Sequence, residues 1–479
     1  MAQIPPTIPR ATEVQRFFEN PLGFLAQARS RVGDVFVLRD NGPIFSRAHD
    51  CTGTVAVFGT VRHQTVLSDI DLFGLPVSAA QHLSLPQHLV SLNRGLHSMR
   101  GEQHAQHQRL LMRVLSEHSI EDYQVSTGLD PLMRRWRFGH RIGLLGEMRQ
   151  LALNVSTRLL IGGQYAESSE LASVLQAYFH LRREAATPFS SAGEALREEL
   201  IGLGTSLDHA LRQYIRWCRR QATAASPDAV LGRLALLELL PGELVSEDDL
   251  VAHCNVLFMS SNEPIAVALA WILLILSQLP DLRRELRNEL EQAFDDDAVV
   301  PASHLARLTL LDSVVNESLR LLPPNALMVR VTTRPASLVG ELLPERCEVV
   351  LCPFLSHREP ARFPQPDEFL TSRWRTTSSS EKRPSPFEYF PFGAGGHSCV
   401  GRHLGTYIIK ASLALLMQRY EFVLAGDQEI DWRIHIQFMP KNDPIMTVHS
   451  PGGRIANAGK LLGPIGDLVR FDAFARLSP

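Results

Sequence analysis

Lysine is almost absent from this chain: 4 of its 48 basic residues are lysine and 44 are arginine. We read that skew as codon bias and take no function from it. Excess charge is missing as well, since 51 acidic residues leave a net charge of −3 and a pI near 6.7. Such a balance excludes a strong electrostatic footprint for nucleic acid or an anionic membrane. Cysteine is scarce, and Cys51, Cys218, Cys254, Cys347, Cys352 and Cys399 form no CxxC pair. A disulfide framework or zinc ribbon is therefore excluded, and a reducing compartment is expected. Long apolar runs are lacking too. The longest spans Ile265 to Leu276, twelve residues, against about 20 needed to cross a bilayer. The opening Met1-Ala2-Gln3-Ile4-Pro5-Pro6 has no basic segment before an apolar core, so no signal peptide is expected. Together these absences predict a soluble cytoplasmic protein with no membrane anchor and no nucleic-acid partner.

What is present is ordinary globular composition, 45% hydrophobic and 21% charged over 479 residues, which excludes a disordered or fibrous chain. Val35–Leu38 and Thr54–Phe58 are rich in β-branched and aromatic residues and predict strands. From about 95 to 325 the pattern is helical. Ser246-Glu247-Asp248-Asp249 opens the clearest helix with a capping serine and an acidic first turn, and Pro280 closes it. Its second half is apolar nearly all round, which predicts a course through the middle of the protein. A second helix covers Thr309 to Leu322 and stops at Pro323-Pro324. Residues 327–353 return to strand character. Residues 354–398 lack periodicity, as functional segments inside compact domains often do, and Thr376 to Arg383 reads as their exposed part. A last helix runs from about Gly401 to Tyr420. No linker or repeat divides the chain. The prediction is one mainly α domain over 1–450 with a small β-rich subdomain, then an extension, 451–479, of unassigned role.

The most informative segment is Phe392-Gly393-Ala394-Gly395-Gly396-His397-Ser398-Cys399-Val400-Gly401. Its glycines permit a tight turn and close approach to something flat. Cys399 follows them at the start of the last helix, where the helix terminus and backbone N–H groups stabilise a thiolate. A thiolate in a rigid loop with no second cysteine nearby suits single axial ligation of iron. Other chemistries fail on spacing: the residue two after Ser398 is Val400, not the glycine of a nucleophile elbow. Ser398 stands where a dinucleotide loop needs its third glycine, and His397, Cys399 and His403 lack a fourth zinc ligand.

This segment resembles the cysteine signature F-x-x-G-x-[RH]-x-C-x-G of the cytochrome P450 family, here of the soluble, bacterial type. Two further segments fit. Glu317-Ser318-Leu319-Arg320 resembles the family's E-x-x-R helix, and Phe369-Leu370-Thr371-Ser372-Arg373-Trp374 its F-x-P-x-R-W meander, with Thr371 in place of proline. The resemblance implies a haem b whose iron is ligated by Cys399, braced by a buried network of Glu317, Arg320 and Arg373. It implies propionate contacts from His104 and Arg109, in a helix like the family's H-x-x-x-R-R (Gln108 stands at its first arginine), and from Arg330 and His397.

Leu257-Phe258-Met259-Ser260-Ser261-Asn262-Glu263-Pro264 resembles the family's A-G-x-[DE]-T segment, which faces the oxygen-binding side of the haem. Small residues at 260 and 261 permit close approach, and Glu263 takes the acidic position. Pro264 stands where the family has threonine. Proline removes an N–H, strains a regular helix by about 3 kcal/mol and carries no hydroxyl to hold the water that protonates oxygen. The proton path is therefore expected to use Ser261, Asn262, Glu263, water or the substrate. The resemblance implies a monooxygenase acting with O2 on a small organic substrate. Its electrons would come from a separate ferredoxin and ferredoxin reductase, docking near Arg109, Arg113 and Arg402. Two rivals stand beside it: a peroxide-dependent or hydroperoxide-rearranging haem-thiolate enzyme, and a haem- or ligand-binding protein with no turnover.

Overall fold

The computed structural model describes residues 4–5, 7–46, 48, 50–76, 86–115, 125–163, 170–185, 194–221, 229–240, 242–294, 302–375, 383–434, 437–452 and 458–471. Most of the stretch expected to be exposed, 376–382, lies outside them. The chain divides into two compact units.

The first unit comprises residues 1–85, 325–366 and 379–399. Its frame is a five-stranded sheet in the order Val35–Arg39, Gly53–Val57, Cys347–Leu351, Met328–Thr332 and Phe73–Gly74. Gly53–Val57 and Cys347–Leu351 pair in parallel, and the other three pairings are antiparallel. Both predicted N-terminal strands are present. Alternate residues Val35, Val37, Val55, Val57, Val349 and Leu351 fill one core, as the two-residue period of a strand dictates. Leu67, Phe390 and Ala394 join that core, so the segment leading to the cysteine is anchored on the sheet. A carboxylate with no exposed surface, that of Glu348, ties the sheet to the neighbouring loop. It accepts hydrogen bonds from the N–H groups of Ile44, Phe45 and Ser46 and from the Thr54 hydroxyl.

The second unit comprises residues 86–324, 367–378 and 400–479 and is mainly helical. Its axis is the predicted long helix, observed as Glu247–Ser277, 31 residues. The Ser246 hydroxyl accepts from the Asp249 N–H at 3.1 Å, the expected N-cap. The helix is long and apolar enough to cross a membrane, but 78% of its most apolar window is buried inside the protein, which is the behaviour of a core helix. It packs along Leu144–Ile161. A three-stranded sheet of Glu421–Leu424, Ile445–His449 and Arg141–Gly143 lies in the same unit. Part of the expected extension, within residues 458–471, pairs with the rest of this unit. Leu461–Leu462 pairs in parallel with Gln428–Glu429, and Arg470 exchanges backbone hydrogen bonds with Asp367 and Phe369.

Candidate active site

The cysteine loop is shaped by its glycines. Gly393 and Gly395 have φ of 71° and 68°, a region that L side chains avoid. A Cβ on Gly395 would lie 1.8 Å from the Leu67 carbonyl oxygen. The glycine is therefore required by space as well as by backbone conformation. The turn is closed by Gly393 N–H donating to the Phe390 carbonyl at 2.9 Å and Ser398 N–H to that of Gly395 at 3.1 Å. Cys399 N–H donates to the Phe392 carbonyl at 2.9 Å. Cys399 is the exposed member of the six cysteines, all of them free thiols. Burial pushes the thiols of Cys254 and Cys352 up to about 12 and raises those of Cys51, Cys218 and Cys347, leaving them inert. Accessibility thus singles out the cysteine that the motif singled out.

Two histidines that the sequence did not flag hold the approach to this loop. His63 Nδ1 bonds the Phe387 carbonyl at 3.3 Å, and His357 Nε2 accepts from the Phe390 N–H at 3.0 Å. Both rings pack edge-on against Phe390. No local motif marks such contacts, which join segments 324 and 33 positions apart. His397 is half-buried in the loop itself.

Arg330, in the same unit, is 3% exposed and donates to the Val329 carbonyl at 2.9 Å. Desolvation lowers its guanidinium to about 10. Among the described residues no carboxylate pairs with it. A buried cation without a protein anion is a site for an anionic group of a ligand.

In the second unit the expected charge network is present and larger than expected. Glu317 and Arg320 have no exposed surface. The Glu317 carboxylate accepts from Arg320 Nε and Nη2 at 2.8 Å each, Leu370 N–H at 2.9 Å, Arg373 Nε at 3.2 Å and Trp374 Nε1 at 2.8 Å. Arg320 also reaches the Glu368 carbonyl at 3.1 Å. Trp374 and the Leu370 amide complete the set. The signal for Trp374 was its indole N–H, which seeks an acceptor when buried.

The helix Gly101–Val114 carries His104 on its buried face with His107, Leu110 and Leu111. Arg109 does not share that face. It is 68% exposed and pairs with exposed Glu102 at 3.1 Å. The expectation that Arg109 contacts a cofactor is therefore corrected: on a helix, position 108 lies on the side of 104 and position 109 does not.

Three residues proposed for the proton path are engaged elsewhere. Glu263, almost fully buried, is clamped by Arg149, whose Nε lies 2.9 and 3.1 Å from its two oxygens, with Arg183 at 3.7 Å. The Ser261 hydroxyl donates to the Phe258 carbonyl at 3.2 Å and shares a hydrogen bond with the Ser156 hydroxyl at 3.0 Å. The Asn262 side chain turns back along the helix onto that same carbonyl. Pro264 sits within a helix that continues through it.

One buried pair was missed. His107 Nδ1 lies 2.8 Å from His253 Nε2, and both rings are 1% exposed. His107 Nε2 is 4.0 Å from Asp249. Burial lowers both histidines, His253 to about 3. A base held neutral in the fold but protonated when unfolded contributes full stability above pH 6.5 and loses it as pH falls toward 3. For His253 alone the loss is about 2 kcal/mol at pH 5. We expect the urea midpoint to fall between pH 7.5 and 5, and His253→Phe to flatten that dependence. A midpoint equally steep in the variant would refute the assignment.

The sheet-anchored glycine turn, the accessible Cys399 at its end and the buried Glu317–Arg320–Arg373 network are the features that the sequence resemblance implied. The comparisons agree. The Cytochrome P450 family model matches residues 42–447, and the chain belongs to the cytochrome P450 family. Members hold a haem whose iron is ligated by a cysteine thiolate, and Cys399 is the cysteine of the matching motif. Cytochrome P450 3A29 of Sus scrofa is 27% identical over 46% of this chain and 44% of its own length. Rat (Rattus norvegicus) mitochondrial sterol 26-hydroxylase is 29% identical over 48% of this chain and 43% of its own. The matches thus span under half of these relatives. The structure of retinoic acid bound cyanobacterial CYP120A1 superposes with a TM-score of 0.76 at 20% identity, covering 94% of this chain and all of that one; it supports the fold.

Proposed function

We propose that this protein is a haem-thiolate monooxygenase that inserts one oxygen atom of O2 into a small organic substrate. The observation that carries the reading is Cys399, an accessible thiol at the end of a turn in which Gly395 leaves no room for a Cβ. The chain's residues fit the cofactor: Cys399 would ligate the iron, and buried Arg330, with His104 and His397, would hold the propionates. The bound group supplies electron donation from the thiolate, which favours O–O cleavage. The remaining work falls to this chain's residues. The apolar second half of the central helix is core, and Glu317 fixes the meander that precedes the cysteine segment. Electrons come from a separate ferredoxin and its reductase, with exposed Arg113 and Arg402 as docking residues. Five buried free thiols support work in the reducing cytoplasm.

The second reading, peroxide-dependent or rearranging chemistry, is favoured by Pro264. To separate them, a panel of small apolar molecules is screened for spectral displacement of iron-bound water. The best binders are then supplied either with ferredoxin, reductase and O2 or with peroxide. Product under the first supply is expected. Product only with peroxide would replace this reading with the second, and tight binding without product under either would leave a binding protein.

A further inference from the structure

We infer that Ser260 supplies the hydroxyl that position 264 lacks, and so holds the water that carries protons to dioxygen. The inference rests on the monooxygenase reading. From Leu250 to Ser277 the helix is buried except at Val256, Leu257, Met259, Ser260, Ser261 and Pro264, and of these Ser260 is the exposed one. Val256, Ser260 and Pro264 are spaced four apart and form one stripe. Of the neighbouring polar side chains, Ser261 is engaged with Ser156 and Glu263 with Arg149, while the Asn262 amide N–H donates to the Phe258 carbonyl and its buried Oδ1 has no partner among the described residues. The Ser260 hydroxyl has no partner among the described residues.

Pro264 adds a second group at the same place. It has no N–H to give to the Ser260 carbonyl, the acceptor four residues back. Ser260 therefore offers a hydroxyl, which donates and accepts, and a carbonyl that lacks its regular donor four residues on. A single water can satisfy both, as water does where a helix ladder is interrupted. The hydroxyl stands one helical turn from the threonine position of the family, on the same stripe. The substitution that removes one hydroxyl thus frees the carbonyl of the residue bearing another.

The reaction consumes R–H, O2, two electrons from the reduced donor protein and two protons, and yields R–OH and water. The O–O and C–H bonds break; the C–O bond and the alcohol's O–H bond, which takes the hydrogen of C–H, form, and the two protons make the O–H bonds of water. The protons are what the Ser260-held water would pass on. Without organic substrate, O2 leaves either as hydrogen peroxide, after two electrons and two protons, or as two waters, after four of each. The split between them reads proton delivery.

The test uses haem-loaded full-length protein with a surrogate ferredoxin, its reductase and NADPH, and no added substrate. Ser260→Ala is expected to raise the peroxide released per O2 consumed by roughly 3- to 10-fold, the worth of one hydrogen bond. Adding Pro264→Thr to Ser260→Ala is expected to return the ratio toward the parent value. A separate readout needs no turnover: cyanide, titrated by absorbance, is expected to bind Ser260→Ala more weakly by a similar factor and Ser260→Thr normally. Thermal unfolding is expected to be unchanged, because the hydroxyl makes no protein contact. Equal peroxide ratios and equal cyanide affinities in parent and Ser260→Ala would overturn the inference while leaving the monooxygenase reading intact. A reducible parent that consumes no O2 would overturn both.

Discussion

Truncating Glu317 to alanine is expected to cost about 3–5 kcal/mol, the usual penalty for breaking a buried charge network, and to yield protein that cannot retain haem. The carboxylate has no exposed surface and receives five donors. Removing it leaves the Arg320 guanidinium buried beside that of Arg373, and the Trp374 indole N–H and the Leu370 amide lose this acceptor. Two like charges then face each other, that of Arg320 with no exposed surface and that of Arg373 only 12% exposed. The meander residues 370–374 lose their common anchor, and the chain runs on from there to the cysteine turn. Glu317→Gln keeps the shape but loses the charge. It is expected to fall between parent and alanine, since it can accept fewer of the five bonds and would turn an amide N–H toward a guanidinium. The checks are the urea midpoint and the haem-to-protein ratio after gel filtration. Soluble, haem-replete Glu317→Ala would contradict the account.

Replacing Arg330 with leucine is expected to change two properties in opposite directions. In the protein without cofactor, burial holds this guanidinium at about 10 against an ordinary 12.5. A base whose folded value is lowered opposes folding wherever it remains charged, and here that means at any pH below about 10. The difference corresponds to an unfavourable contribution on the order of 3 kcal/mol at neutral pH. Leucine removes the charge and keeps apolar volume, so the cofactor-free protein should unfold at a higher midpoint. The loaded protein should lose haem faster, because a propionate loses its cationic partner. A structural arginine would behave otherwise: its loss would lower the cofactor-free midpoint. Measuring both quantities in the same preparation distinguishes the two.

The parts of this site that were legible in the sequence are those governed by local rules. A turn that no Cβ fits had to be written in glycine, and Gly395 against the Leu67 carbonyl shows why. Glu317 and Arg320 lie on one helical face because three residues make nearly one turn, and Ser246 caps the long helix because serine oxygens satisfy first-turn amides. Illegible were the contacts whose partners lie far along the chain. Helix periodicity gives Glu263 an angle on its own helix but does not say that Arg149 waits on the facing one. The same limit hid the His107–His253 pair, the anchoring of Phe390 by His63 and His357, and the binding of Arg470 to the meander. Arg109 failed for a different reason. The motif places an arginine beside His104, but here Gln108 holds the matching helical face and Arg109 points to solvent.

The central claim is that Cys399 binds iron as a thiolate, and the carbon-monoxide adduct of the reduced protein tests it most directly. The account predicts the strongly red-shifted absorption of an adduct lying opposite a thiolate, and its loss in Cys399→His under conditions where circular dichroism reports unchanged helix content. An adduct in the parent protein absorbing like that of an imidazole-ligated globin, or a parent band that survives Cys399→His, would contradict it.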